Sequence, residues 1–322
     1  MKALAAMSQK HQGEKVGRGS CYGSFGELLQ GFLPGGKKFL VNCKIKDASH
    51  VTVSLSSPYY SDTKELDYIK SYGHYPKSYK VIRNVLADFG VHNDCYLDVR
   101  SDLPIAKGLS SSTADMVASV RALSEALSIA LKPEYVARVI TEIDPNDGLH
   151  YPGTSCYHHT LGELISNFDY VPQLSILGID VGGIVDTVEF NKGTFQFSEE
   201  TTRQYQALLE QIQAALKGKD LPAICKVSTE SARLWQQFRP KQEMDAILHL
   251  MSETSSLGVI NAHSGTYVGL AYEKTRKDRQ ALEAVVNNVL PNYPLRWFET
   301  VEHDAPAVAG LRAAAAAGSN AR

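Results

Sequence analysis

The chain has 322 residues, enough for two ordinary domains, and its 43% hydrophobic and 21% charged content is that of a soluble globular protein. A net charge of −2 argues against a nucleic-acid surface, which is normally strongly basic. Five scattered cysteines (Cys21, Cys43, Cys95, Cys156, Cys225) include no C-x-x-C pair, so neither a disulfide framework nor a cysteine zinc site is suggested, and a reducing cytoplasm is the expected home.

Residues 1–15 are polar and read as loose, with no apolar run suited to a signal peptide. No run reaches transmembrane length, so no membrane partner is expected. Val16–Gly31 is rich in glycine (Gly17, Gly19, Gly23, Gly26, Gly31) and reads as a bend between edge strands or as a close approach to a ligand. A dinucleotide-type G-x-G-x-x-G fails there, because Tyr22 stands at the third glycine. Lys38–Lys44 and Val51–Ser56 read as strands, the second with Val51, Val53 and Leu55 alternating. Ser57–Tyr75 reads as a connection, its tyrosines as aromatic packing at an edge. Lys77–Phe89 predicts a helix with Val81, Ile82, Val85, Leu86 and Phe89 on one face. Asp88-Phe89-Gly90 spells a protein-kinase triplet, but neither an HRD loop nor a strand lysine accompanies it.

Asp94–Arg100 predicts a strand with Cys95, Leu97 and Val99 on one side. A long helix pattern follows, with Met116/Val117, Val120, Leu123, Ala126/Leu127 and Ala130/Leu131 at three- and four-residue steps. Between them lies Pro104–Ala114, PIAKGLSSSTA, a small-residue loop with four consecutive hydroxyls. Unpaired N–H groups and the dipole at a helix start favour an anion, usually phosphate, and Lys107 could add a charge. The plain alternative is a capping box from Ser112 to Asp115, which needs the same helix start.

Pro133–Ile143 predicts a second helix, stopped by Asp144-Pro145. Asp144 and Asp147 then sit close together around a turn. Phosphoryl transfer uses one acid for a hard cation and another for the attacking hydroxyl, whereas ordinary turn chemistry also favours Asp. Cys156–His159 is read as packing or a substrate-facing edge. Strands are expected at Leu164–Phe168, Leu174–Asp180 and Ile184–Phe190, then helices at Thr201–Leu216, Leu221–Phe238 and Met244–Thr254. Leu257–Leu270 reads as a hairpin with Ser264-Gly265-Thr266 at its tip, before a helix at Asp278–Val289 and a strand at Arg296–Val301. The Ala-rich end, 313–322, is expected to be a disordered tail.

Three of these segments, in order, resemble motifs of the GHMP kinases. PIAKGLSSSTAD resembles the phosphate-binding motif P-x-x-x-G-L-G-S-S-A, with Ser110 where the family usually has Gly. GSFGELLQG resembles the N-terminal motif, and its CxGSxGELxQG form resembles the L-threonine kinase branch, which acts in cobalamin assembly. LGVINAHSGTYVGL resembles the third motif. Walker A is absent.

The resemblance implies an α+β, two-domain fold: an ATP-binding domain over 1–165 and a two-layer α/β sandwich over 166–312. It implies ATP as co-substrate and Mg²⁺ as cofactor. Pro104, Lys107, Gly108, Leu109, Ser110, Ser111, Ser112 and Thr113 would hold the triphosphate. Asp144-Pro145-Asn146-Asp147 resembles an E-P-x-D sequence, which makes Asp147 the candidate base and Ser112 with Asp144 the candidate metal ligands, Glu142 being in reserve. Homoserine kinase lacks the base, so an active member need not have one. Glu27, Ser264 and Gly265 fall on the substrate side. Contacts to an amino acid's charged groups are left open among Tyr22, Ser24, Glu27 and His150–His159. The implied reaction is phosphorylation of a small amino acid or alcohol, L-threonine first and homoserine second. A non-catalytic nucleotide-binding regulator on the same fold is the alternative of another class. A homodimer is left open.

Overall fold

The computed structural model describes residues 15–56, 69–72, 75–182 and 197–302. The expected strand Ile184–Phe190, most of the Ser57–Tyr75 connection and the 313–322 tail lie outside them.

Two long strands form the centre. β1 (Lys15–Leu33) and β2 (Lys37–Leu55) pair antiparallel from Lys15↔Leu55 to Leu33↔Lys37. The two strands expected at Lys38–Lys44 and Val51–Ser56 are thus parts of one. The other elements follow in order: β3 (Ile69–Tyr72), α1 (Pro76–Asp88), β4 (Cys95–Ser101), α2 (Ser111–Leu127), α3 (Pro133–Thr141), β5 (Thr154–His158), β6 (Glu163–Phe168) and β7 (Leu174–Asp180). Then come α4 (Glu199–Gly218), α5 (Leu221–Trp235), α6 (Met244–Glu253), β8 (Gly258–Asn261), β9 (Tyr267–Glu273), α7 (Arg279–Val289) and β10 (Leu295–Glu299).

One sheet runs β10-β7-β9-β8-β1-β2-β4-β3, with β5 and β6 attached beside β2. Among the described residues only β3 and β4 pair in parallel. Mixed helices and an antiparallel sheet make the fold α+β, as expected.

The glycine-rich segment is a correction to the sequence reading. It is a central strand, not a bend between edge strands, and several of its glycines face protein. A Cβ on Gly17 would stand 2.1 Å from the Ala122 carbonyl oxygen, and one on Gly19 2.2 Å from that of Ala118. Bare backbone is what lets α2 lie directly on β1. A Cβ on Gly31 would likewise meet the Tyr205 ring of α4 at 2.2 Å.

The apolar stripe of α2 (Met116, Val117, Val120, Leu123) is buried against the strands in the main core. Each such side chain contributes about 1.5–3 kcal/mol on burial. A second cluster joins Leu177, Val259, Val268 and Leu270 of the sheet to Ile247 and Leu250 of α6 and Val286 of α7. All five cysteines are buried free thiols. Among the described residues no helix is long and apolar enough to cross a membrane.

Candidate active site

The loop between β4 and α2 is gripped from two sides. From β1, Gly26 N–H donates to the Gly108 carbonyl at 2.9 Å and Ser24 N–H to that of Leu109 at 3.2 Å. From the β8–β9 hairpin, Thr266 N–H donates to the Lys107 carbonyl at 3.1 Å. Gly108 has φ +84°, and a Cβ there would stand 2.4 Å from the Ala262 methyl and 2.8 Å from Gly265 Cα. Glycine is therefore required at 108 for both conformation and space. Ser110 takes φ +58°, the left-handed conformation that glycine adopts more easily.

Ser110 is the cap residue of α2, yet it makes no side-chain cap bond, and the first turn holds no acid. Asp115 is buried instead, and burial pushes its pKa up to about 6. The capping-box alternative therefore fails. The helix start keeps its donors and its partial positive charge for something else.

A cleft opens in front of this turn. Its wall includes Glu27, Gly108, Leu109, Ser110, Ser111, Ser112, Thr113, Asp144, Asp147 and Ser264 of the expected residues. Three others are not on the wall. Lys107 turns to an ion pair with Asp180 at 2.9 Å, Gly265 packs against Gly108, and Pro104 stands earlier in the loop. Glu142 is exposed and pairs with Arg138 at 2.8 Å.

The acid turn after α3 is pinned by Asn146. Its N–H donates to the His159 carbonyl at 3.1 Å, its Nδ2 to Thr141 Oγ1 at 2.8 Å, and its Oδ1 accepts from Gly148 N–H at 3.1 Å. Asn42 of β2 donates to the Asp147 carbonyl at 3.1 Å. This leaves the Asp147 carboxylate facing α2, where Oδ2 accepts from Thr113 Oγ1 at 3.1 Å. Burial, then the negative charge of Glu27, pushes the Asp147 pKa up to about 7. Asp144 is nearly buried, and Lys77 Nζ of α1 donates to its Oδ2 at 2.5 Å.

Glu27 is held from the other side. Its Oε2 accepts from His263 N–H at 3.0 Å and from His263 Nδ1 at 2.8 Å. His263 Nε2 lies 3.1 Å from Ser231 Oγ, which also accepts from Gln30 N–H. Below, Lys241 Nζ binds Asn261 Oδ1 at 2.7 Å and the Ala262 carbonyl at 2.9 Å, and burial pulls its pKa down to about 7. This scaffold fixes the hairpin tip behind the loop.

Sequence reasoning missed Lys77, Gln30, Leu40 and His263. Lys77 is 67 residues from Asp144, and no local pattern couples them. Gln30 lies within the N-terminal motif itself.

The Ser112 hydroxyl is buried without a hydrogen-bond partner among the described residues, on the same wall as Asp144 and Asp147. An all-oxygen donor set of the Ser112 hydroxyl and the Asp144 carboxylate suits a hard cation such as Mg²⁺, which takes few protein ligands beside phosphate and water. The arrangement combines an anion-binding helix start, a cation pairing an acid, and a second acid whose pKa suits proton acceptance near neutrality.

Residues 76–151 match the GHMP kinases N terminal domain family. The chain is 28% identical over 264 residues to L-threonine kinase of Citrobacter freundii, which covers 80% of this chain and 87% of the relative. In three dimensions it superposes on homoserine kinase from Cytophaga hutchinsonii with a TM-score of 0.68, at 13% identity, covering 90% of this chain and 96% of the other. It superposes on MDDEF in complex with MVAPP, AMPPCP and magnesium with a TM-score of 0.67, at 15% identity, covering 90% and 98%. At these identities the solved structures speak to the fold alone.

Proposed function

From the premise that this chain belongs to the GHMP kinases and is a small-molecule kinase, we propose that it transfers the γ-phosphoryl group of ATP to the side-chain hydroxyl of L-threonine. The product would be O-phospho-L-threonine, the precursor of the cobalamin aminopropanol arm. One observation carries the reading: Asp147, with a pKa near 7, stands 3.1 Å from Thr113 in the first turn of the helix start suited to phosphate. A proton acceptor beside a site suited to phosphate is an arrangement that phosphoryl transfer to an alcohol can use.

The backbone N–H groups and hydroxyls of Gly108–Thr113 hold the triphosphate, Pro104 and Lys107 shaping the loop behind them. Asp147 accepts the proton of the attacking hydroxyl. Ser112 and Asp144 are the ligands for Mg²⁺, which when bound neutralises charge on the transferring phosphates. Lys77 releases Asp144 and supplies a positive charge at the same edge. Glu27 and Ser264, with Gly265 beneath the loop, border the acceptor. We assign 1–165 to nucleotide binding and 166–312 to a second domain whose hairpin supports the loop. The expected division falls inside β6, which pairs with β5 of the first part. The scattered free thiols fit a cytoplasmic setting.

Homoserine, a hydroxy amino acid whose side-chain hydroxyl would meet the same acid, is the second reading. ADP release with L-threonine, L-serine, L-homoserine and mevalonate, with and without Mg²⁺, separates the two. Nucleotide binding with no turnover on any of them would support a non-catalytic regulator instead.

A further inference from the structure

We propose that Gln30 and His159 form the acceptor-recognition end of the cleft, taking the ammonium and the carboxylate of a small hydroxy amino acid, with Leu40 as the wall for its carbon chain. The inference rests on the kinase reading above and assigns the residues that choose the acceptor.

Three adjacent strands bring the groups together. Gln30 of β1 is directly opposite Leu40 of β2, and Leu40 is directly opposite Tyr157 of β5. Directly opposed residues share a face of a sheet. His159 follows two residues after Tyr157, and its carbonyl accepts from Asn146 N–H, which ties it to the turn carrying Asp147. Gln30, Leu40 and His159 all line the same cleft as Asp147 and the phosphate loop.

Gln30 is 5% exposed and His159 4%. Among the described residues, Gln30 Oε1 and both ring nitrogens of His159 have no hydrogen-bond partner. Leaving such groups unpaired is costly, and walls built this way discriminate strongly against ligands that lack the matching group.

The charges around them define the class of ligand. On the Gln30 side stands Glu27, whose Oε2 is held by His263, so a side-chain amide and a carboxylate line the cleft together. That pairing suits a cation with N–H donors. On the other side, burial and then the positive charge of Lys38 keep the His159 imidazole neutral, its pKa pulled down to about 3. A neutral imidazole offers one N–H, and with Lys38 nearby that end suits an anion. The polarity matches an α-amino acid, and Leu40, which packs with Tyr151 and Tyr157, gives an apolar wall between its two ends.

The test is steady-state kinetics of the full chain with three acceptors: L-threonine, 3-hydroxybutyrate (no ammonium) and threoninol (no carboxylate). Gln30→Leu is expected to raise the KM for L-threonine and threoninol by about 10–100-fold, the usual loss of a hydrogen bond to a charged group. It should leave 3-hydroxybutyrate, kcat and the KM for ATP within about threefold. His159→Phe should penalise L-threonine and 3-hydroxybutyrate and spare threoninol. Gln30→Glu, which keeps an acceptor, should restore L-threonine, a rescue that a purely structural role would not give. Both apolar variants should melt no lower than the parent, since each removes an unpaired buried group. If either one melts lower, Gln30→Glu and His159→Asn carry the same comparison. Equal losses on all three acceptors, or no change in KM, overturn the assignment and leave the kinase reading intact. A parent enzyme that phosphorylates mevalonate but no hydroxy amino acid overturns both this assignment and the L-threonine reading.

Discussion

Lys77 Nζ and Asp144 Oδ2 lie 2.5 Å apart at the edge of the cleft, one on α1 and the other beyond the end of α3. The ion pair sets a lysine beside the acid assigned to the metal, in a place where a phosphate oxygen could compete for it. Lys107, by contrast, is paired with Asp180. Lys77→Met is therefore expected to raise the KM for ATP by about 10–100-fold, the scale of one charge-assisted contact, and by more than Lys107→Met does. Initial rates across an ATP series check this; equal effects of the two substitutions would remove Lys77 from the role.

Asp147 predicts a pH signature. With its pKa near 7, kcat/KM should rise about tenfold per pH unit below that value and level off above it. Asp147→Asn should lower kcat by about 10²–10⁴-fold and abolish that limb. A loss under about tenfold in folded protein takes the proton-accepting role away from it.

The same shift has a stability consequence of defined sign. The folded-state pKa of Asp147 is raised above the ordinary 3.8, so the folded form holds a proton that the unfolded form has already lost between about pH 4 and 7. Stability contributed by this group falls as pH rises through that window. Asp147→Asn should melt above the parent at pH 8, with the gap closing towards pH 5. Thermal melts across pH measure it, and a constant gap would show that the Asp147 pKa is not raised in the folded protein.

Part of this architecture was legible in the sequence. Periodicity alone placed α2, and the hydroxyl run marked its start, because an amphipathic helix needs a regular apolar stripe whatever it packs against. The Asp144/Asp147 turn was legible for a similar local reason, the Pro at 145. β1 was not, because Gly17 and Gly19 carry the same signal whether a chain bends or a helix lies against it. The Ser112–Asp115 spacing misled in the opposite way: Asp115 fits the capping pattern but is drawn into the core. Lys77 had no local signal at all, since only the packing of α1 brings it to Asp144.

Ser110 holds a left-handed conformation that costs a non-glycine residue about 1 kcal/mol. Ser110→Gly removes that cost, offset in part by the greater freedom of an unfolded glycine, and should stabilise by about 0.5 kcal/mol. Ser110→Val should destabilise by about 1–3 kcal/mol, because a β-branched side chain tolerates this region worst. Urea unfolding of the two variants gives the comparison, and identical midpoints would contradict the strain.

Gly19 gives the largest expected loss of stability. A side chain there meets backbone atoms of α2, the Ala118 carbonyl oxygen at 2.2 Å and the Ala122 nitrogen at 2.5 Å, and neither can swing aside. Gly19→Val should destabilise by about 3 kcal/mol, the upper range for overpacking. Loss of activity should follow loss of folded protein, with the KM for ATP of the remaining folded fraction unchanged. A higher KM at full stability would instead place the glycine at the ligand.

The grip of the β8–β9 hairpin on Gly108 has a consequence for how the protein comes into being. The phosphate turn is made early in translation, but the residues that set its shape, Ala262, Gly265 and Thr266, leave the ribosome more than a hundred positions later. A nascent chain halted at residue 200 would carry the whole serine-rich motif and still lack the clamp that shapes it, so nucleotide capture should begin only after the β8–β9 hairpin has emerged.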